Sequence, residues 1–239
     1  GLEMCIRDRI KEYVARVKEL GMNSAAITDH GVMYGVIDFY RAARAAGIKP
    51  ILGCEVYVAP GSRFDKEAVG SGDDRYYHLV LLAENNTGYA NLSKIVSRGF
   101  TEGYYYKPRV DMEVLEEFHE GIIALSACLA GEVPRYIQKG LPEEAKKCAL
   151  KYQSIFGKDN YFLELQDHGI PEQQTVNMAL LQMSRELDIP LVCTNDVHYT
   201  YAEDAKPHDI LLCIQTGKKL SDENRMRYEG GQYLSLIHI

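Results

Sequence analysis

The sequence lacks the features of several large protein classes. No apolar run approaches the roughly 20 residues of a membrane-spanning helix, so we expect no transmembrane segment and no membrane partner. The six cysteines form no C-x-x-C pair and no secretory signal is seen, so we expect no disulfide framework and a cytoplasmic location. Acidic residues outnumber basic ones, 34 to 27, and the net charge of −7 argues against a surface whose main task is to coat nucleic-acid phosphates.

Short apolar runs alternate with amphipathic segments along the 239 residues, of which 46% are hydrophobic. The length suits one large α/β domain or two small ones. We predict strands at 24–28, 49–59, 76–83, 121–127, 161–165 and 189–195, and helices near 10–20, 34–46, 86–100, 111–118, 141–156 and 172–188. This alternation predicts a mainly parallel sheet, either open and doubly wound or closed into a (β/α) barrel.

Both ends of the chain differ from its body. Residues 1–9 show no clear strand or cap pattern, and residues 234–239 stop abruptly on apolar side chains. We therefore expect 1–9 to be a non-native leader, 234–239 a non-native tail, and 10–233 the domain itself. Within the domain, the polar and glycine-rich stretch 59–77 predicts a long loop, not a linker between domains.

Side chains of the metal-ligand type lie in the predicted strands or just after them. In chain order these are Asp29, His30, Glu55, Cys128, Asp196 and His198. Because strands of an α/β sheet present their carboxyl ends at one edge, we expect these side chains to converge there. Asp196 and His198 share a strand face, whereas Asp29 and His30 point opposite ways, so we expect Asp29 only to orient an imidazole. His78 fits less well, because it opens its strand.

A metal site is the interpretation that this convergence favours. Each residue alone is more often structural, but several buried acids and imidazoles would cost several kcal/mol each without a cation to compensate them. Mixed His, carboxylate and thiolate ligands suit Zn²⁺, and a carboxylate-rich set suits Mn²⁺ or Fe. Two or more ions are expected if Glu55 bridges them. Such sites activate water and bind phosphate, which phosphoester hydrolysis requires.

Two cations follow three tyrosines in the stretch GYYYKPRVD, at Lys107 and Arg109. They are candidate substrate contacts, to a phosphate or nucleotide, although a solvated turn with packed tyrosines explains the pattern somewhat better. We assign no role to three other histidines, His119, His168 and His208. His168 follows a predicted strand, from which its side chain can reach the crevice.

Several long strings resemble one known family. They are AAITDHGVMYGVIDFYRAARAAGIKPILGCEVYVAP, YHLVLLAENNTGYANLSKIVSRGF, LSACLAGEV, YFLELQDHG and TNDVHYTYAEDAKPHDILLCIQTGK. Together they resemble the PHP (polymerase and histidinol phosphatase) domain at the amino terminus of bacterial replicative DNA polymerase III alpha subunits. The resemblance covers nearly all of 10–233 and implies a distorted (β/α)7 barrel with a metal cluster at the carboxyl ends of its strands.

The resemblance also implies the ligands and what is missing. The matching positions are His30, Glu55, His78, Cys128, Asp196 and His198, with Asp196 and His198 acting in catalysis through the metal. The family's first strand, with its His-x-His motif, and the acidic residue after it are absent here, which removes three of the family's nine ligands and leaves the barrel incomplete. In the family pattern Glu55, His78 and Cys128 form one subsite. The family's intact site holds up to three ions. We expect this chain to bind at most one ion tightly, either Zn²⁺ or Mn²⁺.

The implied function is that of a fragment of a replicative DNA polymerase. The parent enzyme would add nucleotides with Mg²⁺, act on DNA and bind other replisome subunits, but its polymerase site lies outside these residues. The PHP domain itself would be a metal-dependent phosphoesterase, or a 3′–5′ proofreading exonuclease. The alternatives are a scaffold domain without hydrolytic activity and, less favoured, a free-standing PHP phosphatase.

Overall fold

The computed structural model describes residues 10–66, 75–228 and 231–234. In these ranges the helices are α1 (Ile10–Glu19), α2 (Val36–Ala46), α3 (Asn86–Thr101), α4 (Met112–Glu117), α5 (Glu132–Gln138), α6 (Pro142–Phe156), α7 (Pro171–Leu187) and α8 (Ala205–Thr216). The strands are β1 (Ser24–Ile27), β2 (Lys49–Val58), β3 (Tyr77–Ala83), β4 (Tyr104–Tyr105), β5 (Lys107–Val110), β6 (Ile122–Leu125), β7 (Tyr161–Leu165) and β8 (Leu191–Cys193). All six predicted strands and all six predicted helices are present.

Local sequence signals set several helix boundaries. The side chain of Asn85 accepts a hydrogen bond from the Gly88 N–H at the start of α3. Helices α6 and α7 each begin with a proline, whose fixed φ suits a first turn that needs no N–H donor. Helix α2 ends at Gly47, which adopts a left-handed φ of 75°. These signals explain why the predicted helix limits hold to within about two residues.

The sheet is curled into a half-barrel, with the strand order β4-β5-β2-β3-β6-β7-β8 and with β1 paired to β2. The expectation of a mainly parallel sheet is corrected at two strands, since β4 pairs antiparallel with β5 and β3 is reversed as well. Strand β3 runs antiparallel to both β2 and β6, whereas β1 with β2, β6 with β7 and β7 with β8 are parallel. The first residue of β3 therefore lies at the edge where the parallel strands end.

Helices cover the convex face of the sheet and form the main core. Fully buried residues of β3, β6 and β7 pack there against α3, α6 and α7, including Leu79, Leu81, Leu92, Ile122, Leu163 and Leu180. A second cluster joins α1 and α2 to β1 around Val17, Ile27 and Phe39. On the concave face a smaller cluster includes Val80, Leu125 and Ala127. This division leaves the concave face free to form a cavity.

A buried arginine anchors the loop that follows β2. The Arg63 guanidinium donates to the carboxylates of Asp111, Glu102 and Glu113 at 2.7–3.1 Å. Asp111 also caps α4 by accepting from the Val114 N–H. Residues 59–66 and 75–76 contain no helix or strand, as predicted for a long loop, and 67–74 lie outside the described residues.

The predicted leader at 1–9 and most of the predicted tail, 235–239, lie outside the described residues. Leu234 is described, and it is buried in the cluster formed by α1, α2 and β1. Its N–H donates to the Tyr199 carbonyl. Among the helices of the described ranges, none combines the length and the apolar character needed to cross a membrane.

Candidate metal centre

Three side chains from neighbouring strands meet at the rim of the half-barrel. His30 lies just after β1, Glu55 lies within β2, and His78 is the second residue of β3. One potential ligand atom from each lies within 4.8 Å of the other two. His78 reaches this rim because β3 runs antiparallel to its neighbours, so its beginning and not its end is at the site.

Backbone hydrogen bonds hold these residues in place. The Glu55 N–H donates to the Asp29 carbonyl at 3.0 Å, and the Gly31 N–H donates back to the Glu55 carbonyl at 2.8 Å, so His30 is fixed beside β2. The His78 N–H donates to the Ala130 carbonyl at 3.0 Å. The rim is therefore built from main chain that is already paired, which gives the side chains a fixed origin.

A single carboxylate oxygen binds both imidazoles. Oε1 of Glu55 lies 2.8 Å from Nδ1 of His30 and 2.5 Å from Nδ1 of His78. Burial favours the neutral acid, but the charges of His78 and His30 and their hydrogen bonds hold the pKa of Glu55 well below its usual range. Burial favours the neutral form of His30 too and so lowers its pKa. The charge of Glu55 outweighs this effect and raises the pKa of His30 to about 9.

Cys128 lies next to this group, with Sγ 3.6 Å from Nδ1 of His78. Burial, and then the charges of Glu55 and Asp196, raise the pKa of the Cys128 thiol well above its ordinary value. The compact group is thus His30, Glu55 and His78, with Cys128 at its margin; the subsite of Glu55, His78 and Cys128 stays a prediction. That Cys128 is a ligand remains a prediction.

The loop after β8 brings the last two predicted ligands towards the same place. The His198 ring lies 5.9 Å from the His30 ring, centroid to centroid. Nδ1 of His198 donates to the carbonyl of Asp196 at 2.7 Å, and its Nε2 faces the Tyr228 hydroxyl at 3.0 Å. Burial raises the pKa of Asp196, as does the Glu55 charge, while the His198 charge opposes the rise.

A cavity of about 490 Å³ lies on the concave face below the rim. Its polar lining includes His30, Glu55, Glu164, Asp196 and His198, and its apolar lining includes side chains of β1, β3, β6, β7 and β8. Four of the six predicted ligands therefore face one shared space. His78 and Cys128 are not among the residues that line it.

The family model for the PHP domain matches residues 6–168, which is most of the chain. The chain belongs to the PHP domain family. It is 49% identical over 224 residues to DNA polymerase III subunit alpha of Treponema pallidum, an alignment that covers 94% of this chain and 19% of that protein. It is 46% identical over 225 residues to the Borreliella burgdorferi protein of the same name, again covering 94% of this chain and 19% of the relative. The chain thus spans about a fifth of the length of these relatives.

Two solved structures resemble this PHP domain at low sequence identity. An amidohydrolase from Chromobacterium violaceum, with bound sulfate and no metal, is 14% identical with a TM-score of 0.49, covering 80% of this chain and 82% of its own. A protein assigned as a metal-dependent phosphoesterase from Bifidobacterium adolescentis is 13% identical with a TM-score of 0.45, covering 79% and 82%.

Glu164 is a residue of this PHP domain's cavity that the sequence interpretation missed. Its Oε1 accepts from the Thr194 hydroxyl and from Nε2 of Gln166, whereas its buried Oε2 has no hydrogen-bond partner within the described residues. Burial raises the pKa of Glu164 to about 7, although these two hydrogen bonds oppose the rise. The available signal was its position in β7, two residues after Phe162 and so on the same face of the strand.

The structure gives definite roles to residues left open in the sequence. Asp29 does not orient an imidazole in the expected way; its carboxylate accepts from the Gly35 N–H beside the start of α2, while Glu55 holds His30. His168 has its Nε2 on the Asn195 carbonyl at 3.0 Å, so it fixes the loop that carries Asp196.

Lys107 and Arg109 occupy different environments. Arg109 is only 3% exposed, and its guanidinium donates to the carbonyls of Gly103, Arg63 and Asp65. This geometry corrects the prediction that Arg109 contacts substrate, because these carbonyls occupy its donors. Lys107 is half-buried and lies over the Tyr57 ring at 5.2 Å, close enough for its charge to oppose protonation of His30. Lys107 remains a predicted phosphate contact.

Proposed function

We propose that this PHP domain hydrolyses phosphoesters with a divalent metal held at the rim of its half-barrel. The observation that carries the proposal is the group of His30, Glu55 and His78, whose ligand atoms lie within 4.8 Å of one another. Two imidazoles and a carboxylate are a ligand set that Zn²⁺ uses in catalytic sites, and Mn²⁺ is the alternative that such ligands accept. Cys128 and the pair Asp196 and His198 are proposed as further ligands.

The donor chemistry fits a cation. In the protein alone, Glu55 is charged and compensated by a proton on an imidazole, as the opposed pKa shifts of Glu55 and His30 indicate. A divalent ion can take the place of that proton, because it compensates the same carboxylate while the imidazole becomes neutral. When bound, it would supply a water of lowered pKa and polarise a phosphoryl oxygen.

The surrounding residues have separate proposed roles. Asp196 and His198 lie next to His30 and orient the ion and the ester from the cavity side, and they are the proposed catalytic pair acting through the metal. The Lys107 ammonium lies over the Tyr57 ring, close enough to His30 for its charge to act on that imidazole, and is suited to bind a phosphate oxygen of the ester. Lys107 would compensate negative charge on the substrate in a protein whose net charge is −7.

A phosphodiesterase assay tests the proposal. The purified chain, loaded with Mn²⁺ or Zn²⁺, is given bis(p-nitrophenyl) phosphate and, separately, a 5′-labelled single-stranded oligonucleotide. We expect metal-dependent hydrolysis and a fall of about 100-fold or more in kcat for Asp196→Asn, since a buried ligand carboxylate is lost. Glu117→Gln, on the exposed side of α4, is the matched control and should retain the parent rate.

Two outcomes would contradict the proposal. Equal rates for Asp196→Asn and the parent would remove Asp196 from the mechanism. No hydrolysis of either substrate by a chain shown to contain metal would reject the phosphoesterase function. Metal analysis of the same preparation should find at most one tightly bound ion per chain; three would contradict the predicted loss of ligands.

The finer proposal concerns the whole protein. The relatives are DNA polymerase III alpha subunits and the chain covers 94% of its own length against them, so we propose that it is part of such a polymerase in the bacterial cytoplasm. The intact domain would then act as a 3′–5′ exonuclease on DNA, while Mg²⁺-dependent nucleotide addition and replisome contacts belong to other parts of the parent. Shortening of the labelled oligonucleotide from its 3′ end supports this, and internal cleavage opposes it.

A scaffold function is the second candidate, and one contact favours it. The Tyr228 hydroxyl lies 3.0 Å from Nε2 of His198, the nitrogen that a metal would need. If this contact persists in solution, the domain braces the polymerase without hydrolysis. Because the contact would then keep a metal from His198, Tyr228→Phe should raise metal affinity. An unchanged affinity would mean that Tyr228 does not compete with a metal and would oppose the scaffold candidate. A free-standing phosphatase is less favoured, because the relatives are about five times longer than this chain.

A further inference from the structure

The hairpin formed by β4 and β5 has a tyrosine at its tip in a conformation that suits glycine. Tyr104 pairs with Pro108 and Tyr105 with Lys107, so Tyr106 is the single residue at the turn. Its φ is +61°, in the left-handed region that L-residues avoid. A glycine would adopt this backbone without the steric penalty. A strained non-glycine residue at a fixed place is a reason to look for a use of its side chain.

The ring of Tyr106 is not used to build the core. Tyr106 is 65% exposed and Tyr104 is 53% exposed, and Phe100, 40% exposed, lies beside Tyr104 with a centroid distance of 6.1 Å. We call Phe100, Tyr104 and Tyr106 the aromatic tip. Burial within this chain does little to offset the cost of the left-handed turn.

Two cations lie beside the aromatic tip. The guanidinium of Arg75 lies over the Tyr106 ring at 4.4 Å, and Lys107 follows Tyr106 in the chain. The Lys107 ammonium lies over the Tyr57 ring, and that ring meets the His78 ring edge-on at 5.4 Å. A continuous path of rings and positive charges therefore runs from the hairpin to a proposed metal ligand.

We propose that the aromatic tip binds a single-stranded nucleic acid, with bases stacked on Tyr106 and Tyr104 and a phosphate on Lys107, so that the strand reaches the metal centre. This inference rests on the proposed phosphoesterase function and identifies its substrate class. Stacked rings interleaved with cations are the general means of binding single strands, because every base has a flat face and every linkage has a charge.

The charge distribution favours a single strand over other partners. A duplex needs a broad basic surface, and a net charge of −7 does not supply one. A protein partner would not require cations beside the exposed rings. An unstacked strand needs only a few local contacts, which Tyr104, Tyr106, Arg75 and Lys107 provide.

Binding is measured apart from hydrolysis. Fluorescein-labelled oligodeoxythymidine and oligouridine are titrated with the full chain in EDTA, and anisotropy gives Kd; a matched duplex is the comparison. We expect at least one single strand to bind more tightly than the duplex. Tyr106→Gly should weaken binding about fivefold or more, the effect of losing one stacked base. Lys107→Gln should weaken it and reduce the dependence on salt, because one phosphate contact is lost.

Tyr106→Gly separates this role from folding. Glycine relieves the left-handed turn, so the variant should melt at the parent temperature or higher while it binds the strand less well. Tyr40→Ala, on the exposed face of α2 and 45% exposed in the parent, is the control for loss of a surface ring and should bind like the parent.

The inference fails if neither single strand binds, if the duplex binds more tightly, or if folded Tyr106→Gly binds as well as the parent. These results are independent of the phosphoesterase proposal, since they are obtained without metal. The phosphoesterase proposal fails instead if the metal-loaded chain does not hydrolyse bis(p-nitrophenyl) phosphate. That substrate is too small to need the aromatic tip.

Discussion

Replacing Glu164 with glutamine is expected to stabilise the protein above neutral pH and to have a much smaller effect near pH 5. Glu164 is buried beside the cavity, and its Oε2 has no hydrogen-bond partner among the described residues. Glutamine has nearly the same shape, and its carbonyl can accept from the Thr194 hydroxyl and from Gln166 as Oε1 does now. The substitution thus removes a titrating group while keeping these contacts.

The magnitude follows from the change in pKa. Burial raises the pKa of Glu164 from 4.5 to about 7, and the charges of Asp196 and Glu55 add to the rise. The folded state then holds its proton more tightly than the unfolded state. Its contribution is fully present below pH 4.5 and is lost as the pH rises through 7, by about 3 kcal/mol at pH 8 and by about 1 kcal/mol at pH 5. The benefit of Glu164→Gln should therefore be about 2 kcal/mol larger at pH 8.

Urea unfolding followed by circular dichroism at pH 5 and pH 8, in EDTA, measures this difference. The exposed variant Glu117→Gln is the control and should follow the parent at both values. If Glu164→Gln and the parent show the same dependence of unfolding free energy on pH, the carboxyl is not ionising in the folded protein as described. A variant equally destabilised at both values would show that Glu164 is held by contacts that glutamine cannot make.

Three further substitutions test other parts of the structure. Glu55→Gln should lower Zn²⁺ affinity by about 100-fold or more in a chelator competition, because both imidazoles lose their shared carboxylate; an unchanged Kd would reject the site. His208→Gln should reduce the loss of stability as the pH falls from 7 to 4. Burial lowers the pKa of His208 to about 4, so its contribution is present above 6.5 and lost below, by up to about 3 kcal/mol; parallel unfolding curves would refute this. Arg63→Ala should cost about 3–5 kcal/mol of unfolding free energy, because Asp111 loses its buried partner, and a melting temperature within a degree of the parent would contradict the ion pair.

The sequence was sufficient for most elements of the fold, because periodicity and caps are local, but helices α5 and α8 and the short strands β4 and β5 were not predicted. The proline that opens α7 and the glycine that ends α2 act within one turn of the chain, and both boundaries were predicted closely. Strand direction is not local. The alternation of strands and helices favours parallel pairing, and no residue within β3 signals that it runs the other way.

The same difference between local and non-local signals explains which residues of the candidate site could be predicted. His30 and Glu55 were expected at this rim, and they meet there because β1 and β2 are parallel. His78 fitted poorly in the sequence because only the reversed direction of β3 brings the start of that strand to the rim. Arg109 was a candidate substrate contact, less favoured than a turn with packed tyrosines, because a sequence shows charge without burial. Glu164 was overlooked because one acid within an apolar strand does not reveal which face it occupies.

The reversed strand has a consequence for how the domain can vary. Since His78 is delivered as the chain enters β3, its place is set by the pairing of Tyr57 with His78 and not by the route of the preceding segment. Insertions or deletions between β2 and β3 can accumulate without displacing the imidazole, whereas a one-residue insertion inside β3 would leave His78 in place and turn over the strand's apolar residues beyond it. Apart from its buried anchor Arg63, the connection before β3 is thus free to vary in length, and the strand is not.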